Sequence, residues 1–155
     1  MSRAFVREPD GTEPFQDAPE RQISEHPNYV TAAGLAHIEA EVARLTQASG
    51  VAQSEGDRAA MQSAARDLRY WQARLVTVEL IACASDRTIV QFGSTVTVKR
   101  DNGRVQEFKI VGEDEADPKQ GSISYVAPLA RALMGKQTGD TSRLAGGEIE
   151  IIAVR

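Results

Sequence analysis

Two stretches of apolar residues at helical spacing, separated by one short turn, constrain the fold more than any other feature. The first stretch steps by three, four and three through Leu35, Ile38, Val42 and Leu45. The second keeps a three-four alternation through Met61, Ala64, Leu68, Trp71, Leu75, Val78 and Ala82. Such seams are typical of helices packed side by side. The sequence therefore predicts an antiparallel coiled-coil finger over residues 31–85, turning at residues 54–57.

The turn of the finger carries acidic residues. Thr31 is expected to cap the first helix, and Asp57, which follows Gly56, the second. Glu55 and Asp57 flank Gly56 at the end of a rigid rod. Two carboxylates can hold a divalent metal when another molecule supplies the remaining ligands. A helix cap at Asp57 and a merely soluble turn are the alternatives, and spacing does not decide among the three.

The second helix of the finger carries a row of arginines. Arg58, Arg66 and Arg69 fall within about a quarter-turn of one another at ~100° per residue. They are candidates to face RNA phosphates. Because Asp67 and Glu79 are interspersed, a solvated outer face of the coiled coil is the alternative interpretation.

The two ends of the chain differ in character. Residues 1–28 hold four of the six prolines among acidic residues without an apolar period, which predicts a disordered acidic tail. After residue 87 the apolar period becomes two, as in half-buried strands. An Asn102-Gly103 hairpin signal and a short helix opened by Pro128 complete the pattern. Strands are predicted at residues 94–100, 105–111, 122–126 and after 147, with an acidic loop at 113–120. The fold class is therefore α+β, with domains at residues 29–86 and 87–155.

Composition limits the classes of function. The net charge of −4 argues against non-specific binding to duplex DNA, so a nucleic-acid contact has to be local. The single cysteine, Cys83, is expected to be a small buried residue in a reducing cytoplasm. No zinc-ligand spacing, phosphate-binding glycine loop or catalytic triad is present. No apolar run approaches the ~18 residues of a membrane span. We therefore expect a cytoplasmic protein with no membrane partner, no catalytic centre and no metal when free.

Four blocks in the C-terminal half resemble a known family. They read VQFGSTVTV (90–98), IVGEDEAD (110–117), GSIS (121–124) and APLARALMGK (127–136). Their order and spacing resemble the Gre family of bacterial transcription elongation factors. Residues 29–45 are similar to the start of that family's coiled coil.

The resemblance implies an architecture and a partner. It implies a coiled coil inserted into the secondary channel of RNA polymerase, and an FKBP-like C-terminal domain docked at the channel rim. In active members, acidic tip residues help to hold Mg²⁺ and a water in the polymerase active site, where backtracked RNA is cleaved by the polymerase itself. The resemblance thus implies an accessory factor and not an enzyme. It would be a monomer that contacts nascent RNA indirectly and shares Mg²⁺ only if it is competent for cleavage.

This chain departs from the family's tip motif. Active members have Gly-Asp, two residues, then Glu-Asn-Ala-Glu-Tyr, whereas Gly56-Asp57 is followed here by RAAMQSA, which places Ala60 at the position of the Glu. The finger is also shorter by roughly one heptad per arm, or about 10 Å. Both departures predict a factor that occupies the channel with weak or no stimulation of cleavage. The alternative is a cleavage-stimulating factor that uses Glu55 and Asp57.

The family's polymerase-docking loop maps to residues 124–131. Ser124, Ala127, Pro128 and Arg131 are the candidate contacts. Pro128 matches the family, and Ala127 stands where active members usually have Ser. Helix initiation alone also explains Pro128.

Two other classes of protein remain open. An FKBP-like domain can in principle isomerise prolyl bonds, but such a site needs an apolar, aromatic-lined pocket. The C-terminal domain offers only Phe92, Phe108 and Tyr125 for it. A coiled-coil adaptor would instead associate with itself through the finger.

Overall fold

The computed structural model describes residues 18–82 and 84–155. The predicted tail residues 1–17 and Cys83 lie outside the described residues. The finger consists of α1 (Ala32–Glu55) and α2 (Arg58–Val76). Its core contains Ile38, Leu45 and Trp71, with Leu68 and Leu75 packed against them. The antiparallel pairing predicted from the two apolar seams is confirmed.

The second helix ends earlier than its apolar period predicted. The seam continues to Ala82, but α2 ends at Val76. The chain then forms β2 (Glu79–Leu80), which pairs in parallel with β1 (Tyr29–Val30). Residues 76–78 are Val-Thr-Val, and consecutive β-branched side chains disfavour a helix. Val78 nevertheless packs against the finger core. Its place in the apolar period therefore reflects burial, although the residue is not helical.

The C-terminal domain is a mixed five-stranded sheet. Its strands, in the order β5-β4-β3-β7-β6, are β3 (Thr95–Arg100), β4 (Val105–Val111), β5 (Ser122–Ser124), β6 (Thr141–Leu144) and β7 (Gly147–Val154). Within this five-stranded sheet, β4 and β5 pair in parallel and the other neighbouring strands pair antiparallel. The prediction of four strands was wrong because it missed β6. The sequence of that strand, Thr-Ser-Arg-Leu, contains a single apolar residue and so lacks an apolar alternation. The predicted acidic loop contains two 3-10 turns, Glu113–Glu115 and Pro118–Gln120.

One face of this sheet packs against α3 (Pro128–Leu133). The buried core comprises Val90, Val96, Val98, Ile110, Ile123, Ala130, Leu133, Ile149, Ile151 and Val154. The inward side chains of β3 alternate with half-buried threonines, as the period of two predicted. The finger and the curled sheet domain together confirm the α+β class.

Residues 18–28, hereafter the strap, correct the prediction of a tail disordered throughout. At the base of the finger, Asn28 is buried and its Nδ2 donates to the Arg74 carbonyl at 2.7 Å. Farther out, the Arg21 guanidinium lies 3.7 Å from the centroid of the Tyr70 ring. Ala18 lines a groove with Ala59, in the first turn of α2. The strap therefore follows α2 from the base of the finger towards its tip.

Candidate functional site

The finger tip is a two-residue turn with a left-handed glycine. Gly56 has φ of 69°, and its N–H donates to the carbonyls of Ala52 and Gln53. Asp57 is the N-cap of α2, and its Oδ1 accepts from the Ala60 N–H at 3.0 Å. The predicted capping role of Asp57 is confirmed. One carboxylate oxygen is thereby occupied by the helix.

The tip does not present the donor set of a resident metal site. Glu55 and Asp57 are both exposed, and position 60 is an exposed alanine. Within residues 18–82 and 84–155 no group of three His, Cys, Asp or Glu side chains could hold a metal. Mg²⁺ is octahedral and usually keeps several waters, so two solvated carboxylates, one of them capping a helix, would supply only part of its ligand shell. Water or a second molecule would have to supply the remaining ligands.

Two of the three arginines in the basic row on α2 are paired with acidic side chains of the same chain. Arg66 and Arg69 line one groove, and Arg58 is exposed nearer the tip. The Arg66 Nε lies 3.4 Å from Asp67 Oδ1. Both the Nε and the Nη2 of Arg69 donate to the Glu20 carboxylate. The structure thus brings Arg66 and Arg69 together but sets the strap beside them.

The predicted docking loop joins β5 to α3. Ser124 Oγ accepts from the Val126 N–H at 3.3 Å, and the Ala127 N–H donates to the Ser124 carbonyl at 2.9 Å. Pro128 occupies the first turn of α3, and its side chain is exposed, as is that of Arg131. The two local hydrogen bonds fix the loop, so Pro128 and Arg131 form a preorganised surface.

Aromatic side chains next to this loop connect the two domains. The Tyr29 ring lies 6.1 Å from Phe92 and 5.2 Å from Tyr125, measured between centroids. The Tyr125 hydroxyl donates to the Pro27 carbonyl at 2.5 Å. Tyr29 therefore packs against two of the three aromatic residues that a prolyl-isomerase pocket would need, and Phe108 packs against the domain core.

A buried polar cluster holds the finger against the C-terminal domain. Arg74, only 2% exposed, pairs with Asp114, and Asp114 also accepts from the Tyr70 hydroxyl. Burial and this carboxylate raise the pKa of Tyr70 to about 12. Glu115 accepts from the backbone N–H and from the hydroxyl of Thr31, at 3.0 and 2.6 Å. The acidic 3-10 turn therefore attaches the base of the finger to the sheet domain through Asp114 and Glu115.

The sequence did not predict the strap or the polar cluster around Arg74 and Asp114. Both depend on ion pairs between distant positions, such as Glu20 with Arg69 and Arg74 with Asp114. Arg74 alone gave a usable signal, because it follows Trp71 by three residues and so lies on the same side of α2. A single arginine at such a position does not identify its partner.

The fold and site define a class of protein: a rigid helical finger with a polar tip, fastened at its base to a compact sheet domain. Within residues 18–82 and 84–155 no helix has the length and apolar character needed to cross a membrane.

Residues 85–155 match the family model described as transcription elongation factor, GreA/GreB, C-terminal. The chain is 56% identical over 57 residues to the transcription elongation factor GreA of Hyphomonas neptunium, and this match spans 36% of each chain. It is 39% identical over 129 residues to GreA of Alkalilimnicola ehrlichii, covering 72% of this chain and 82% of that relative. A crystal structure of GreA factor homolog 1 of Thermus thermophilus superimposes with a TM-score of 0.41 at 19% identity, over 84% of this chain and 99% of that chain. The chain belongs to the GreA/GreB family of transcription elongation factors.

Proposed function

We propose that this elongation factor binds RNA polymerase, inserts its finger into the secondary channel and regulates elongating or backtracked complexes with weak or no stimulation of transcript cleavage. The C-terminal domain docks at the channel rim. The factor acts as a monomer in the cytoplasm and supplies no catalytic centre of its own.

The composition of the tip carries this proposal. Stimulating cleavage requires carboxylates that reach the metal of the polymerase within bonding distance. Asp57 caps α2, and Ala60 stands where the family motif places Glu. Glu55 is the other carboxylate of the turn, and it closes α1 on the far side of Gly56. A finger about one heptad shorter per arm would moreover end about 10 Å from the position that longer fingers reach.

The docking surface supports attachment at the rim. Pro128 and Arg131 are exposed on a loop fixed by its own hydrogen bonds, with Ser124 and Ala127 forming its base. A preorganised surface loses little conformational entropy on binding. In this position the basic residues Arg58, Arg66 and Arg69 would lie towards the nascent RNA, with Arg69 paired to Glu20 of the strap in the free chain.

The proposal is tested by following end-labelled RNA in backtracked elongation complexes with Mg²⁺ and the purified factor. We expect little shortening with the wild-type chain. Ala60→Glu restores the missing carboxylate, and Ala60→Gln is its uncharged control. If the short finger also limits the reaction, Ala60→Glu alone leaves the RNA intact. Shortening by Ala60→Glu but not Ala60→Gln would show that the finger reaches the metal and that only the ligand was missing.

A cleavage-stimulating factor that uses Glu55 and Asp57 is the alternative. It predicts shortening with wild type that is lost in Glu55→Gln/Asp57→Asn. Asn caps helices about as well as Asp, so this double variant removes charge while keeping the turn. That result would favour a factor that actively stimulates cleavage, in which Glu55 and Asp57 share the Mg²⁺ of the polymerase active site.

Two further classes give distinct outcomes. The packing of Tyr29 on Phe92 and Tyr125 argues against an open prolyl-isomerase pocket, and we expect no turnover of a prolyl peptide. A coiled-coil adaptor would self-associate through the finger, whereas we expect light scattering to give the monomer mass. Turnover or dimerisation would favour the corresponding alternative.

A further inference from the structure

The strap and α2 enclose a groove of about 350 Å³ that lies over the basic row. Its lining includes Glu20 from the strap and Gln62, Ala65, Arg66 and Arg69 from α2. The row predicted to face RNA phosphates therefore already has an acidic neighbour from its own chain.

Glu20 occupies the position on Arg69 that a phosphate would take. Its two oxygens accept from the Nε and the Nη2 of Arg69, the two-point geometry with which a guanidinium also binds phosphate. The hydrogen bond from Arg69 holds the pKa of Glu20 below its ordinary value, so the carboxylate is charged at neutral pH. Glu20 is thus an intramolecular anion on the basic face.

The strap is held firmly at its base and weakly at its outer end. At the base, Asn28 is 4% exposed, and the Ser24 hydroxyl donates to Glu113 at 3.0 Å. At the outer end, the side chains of Glu20 and Arg69 are 62% and 58% exposed. The Arg21 to Asp67 separation is 3.9 Å. Exposed ion pairs of this kind contribute little and are screened by salt. The outer strap can therefore detach while Asn28 stays in place.

We propose that residues 18–23 are a displaceable cover that holds the Glu20 carboxylate on the basic row, and that a single-stranded RNA competes with Glu20 for Arg66 and Arg69. Displacement of Arg21 would also bare the Tyr70 ring, which it covers at 3.7 Å. An aromatic face beside arginines suits stacked bases of a single strand. The choice of RNA as the polyanion rests on the proposed function, but the free chain can be tested without polymerase.

The first test measures binding of a labelled single-stranded RNA oligonucleotide to the full chain by fluorescence anisotropy at low ionic strength. Glu20→Gln removes the carboxylate charge beside Arg69, and Glu25→Gln removes the same charge from an exposed position on the same strap. We expect Glu20→Gln to bind RNA about two- to fivefold more tightly than wild type, with a smaller gain for Glu25→Gln. Equal gains would mean a bulk charge effect and overturn the proposal, as would no gain in Glu20→Gln.

A second arm locates the site. Adding Arg66→Ala and Arg69→Ala to Glu20→Gln should abolish the gain, measured against Arg66→Ala/Arg69→Ala with Glu20 intact. A gain of the same size in the absence of both arginines would place the RNA elsewhere and contradict the competition.

A third arm follows the strap itself. Trp71 is the single tryptophan, is 8% exposed, and has the Arg21 guanidinium 5.5 Å from its ring. We expect saturating RNA to increase acrylamide quenching of Trp71 emission, and we expect Arg21→Ala to increase it without RNA. RNA binding that leaves quenching unchanged would show that the strap stays in place. RNA release of the strap together with no binding to polymerase would count against the proposed function alone.

Discussion

The Nε of Arg74 lies 2.5 Å from Oδ2 of Asp114, and this pair joins α2 to the acidic 3-10 turn of the sheet domain. The Tyr70 hydroxyl donates to Oδ1 of the same carboxylate at 2.5 Å. The carbonyl of Arg74 accepts from Asn28 of the strap. One buried residue thus contacts the strap, the finger and the sheet domain.

Removing the charge of Arg74 should be costly. Arg74→Met leaves Asp114 without its cation, and breaking a buried ion pair lowers the free energy of unfolding by about 3–5 kcal/mol. Urea unfolding followed by circular dichroism measures the loss. Arg44→Met is the control, because Arg44 pairs with Glu41 on the exposed surface of α1. A loss for Arg74→Met no larger than that of the control would mean that the pair between Arg74 and Asp114 does not stabilise the folded protein.

Alkaline pH should weaken the same cluster through Tyr70. Its pKa is raised to about 12 from an ordinary value of 10, so the folded state favours the neutral phenol. The stabilisation is fully present below pH 10 and is lost as the pH rises towards 12. Tyr70→Phe should show a smaller fall in unfolding free energy over that window. Absorbance titration should also lose its highest tyrosine step in the variant, and retention of that step would assign the shift to another residue.

Two glycines of α1 should respond oppositely to alanine. A Cβ on Gly34 would lie 1.9 Å from Oε2 of Glu115, which is held by two hydrogen bonds to Thr31. A Cβ on Gly50 would meet nothing within 4 Å. We expect Gly50→Ala to raise the melting temperature, since alanine favours a helix over glycine by about 1 kcal/mol. Gly34→Ala should lower it, and a rise in both variants would contradict the close contact.

The helix-capping role of Asp57 can be tested separately from its negative charge. Asp57→Ala removes both and should lower the free energy of unfolding by about 1 kcal/mol, whereas Asp57→Asn keeps the cap and should change it little. Urea unfolding of the two variants measures the difference. Equal losses would mean that charge, and not the hydrogen bond to the Ala60 N–H, stabilises the start of α2.

The sequence was informative where one periodic pattern controls the structure. The seam through Ile38 and Leu45, the cap at Asp57 and the inward face of β3 follow from local spacing. Periodicity failed at Val78 because a residue that packs on the finger core need not be helical. It missed β6 because that edge strand is polar.

The candidate site was less predictable for a different reason. Ala60 and Pro128 are interpretable from the family motif, but the pairing of Glu20 with Arg69 joins positions almost fifty residues apart. Scattered charges in a proline-rich acidic segment give no register against a distant helix. The strap therefore emerges only from the three-dimensional arrangement.

The central claim is that this factor occupies the polymerase channel without activating cleavage, and a protection assay tests it most directly. Backtracked complexes are incubated with the factor, a cleavage-competent GreA is added, and the length of end-labelled RNA is followed in time. We predict that pre-incubation slows shortening in proportion to factor concentration, while the factor alone leaves the RNA intact. Shortening at the unprotected rate would show that the channel is not occupied, and shortening by the factor alone would show that it is an active cleavage factor.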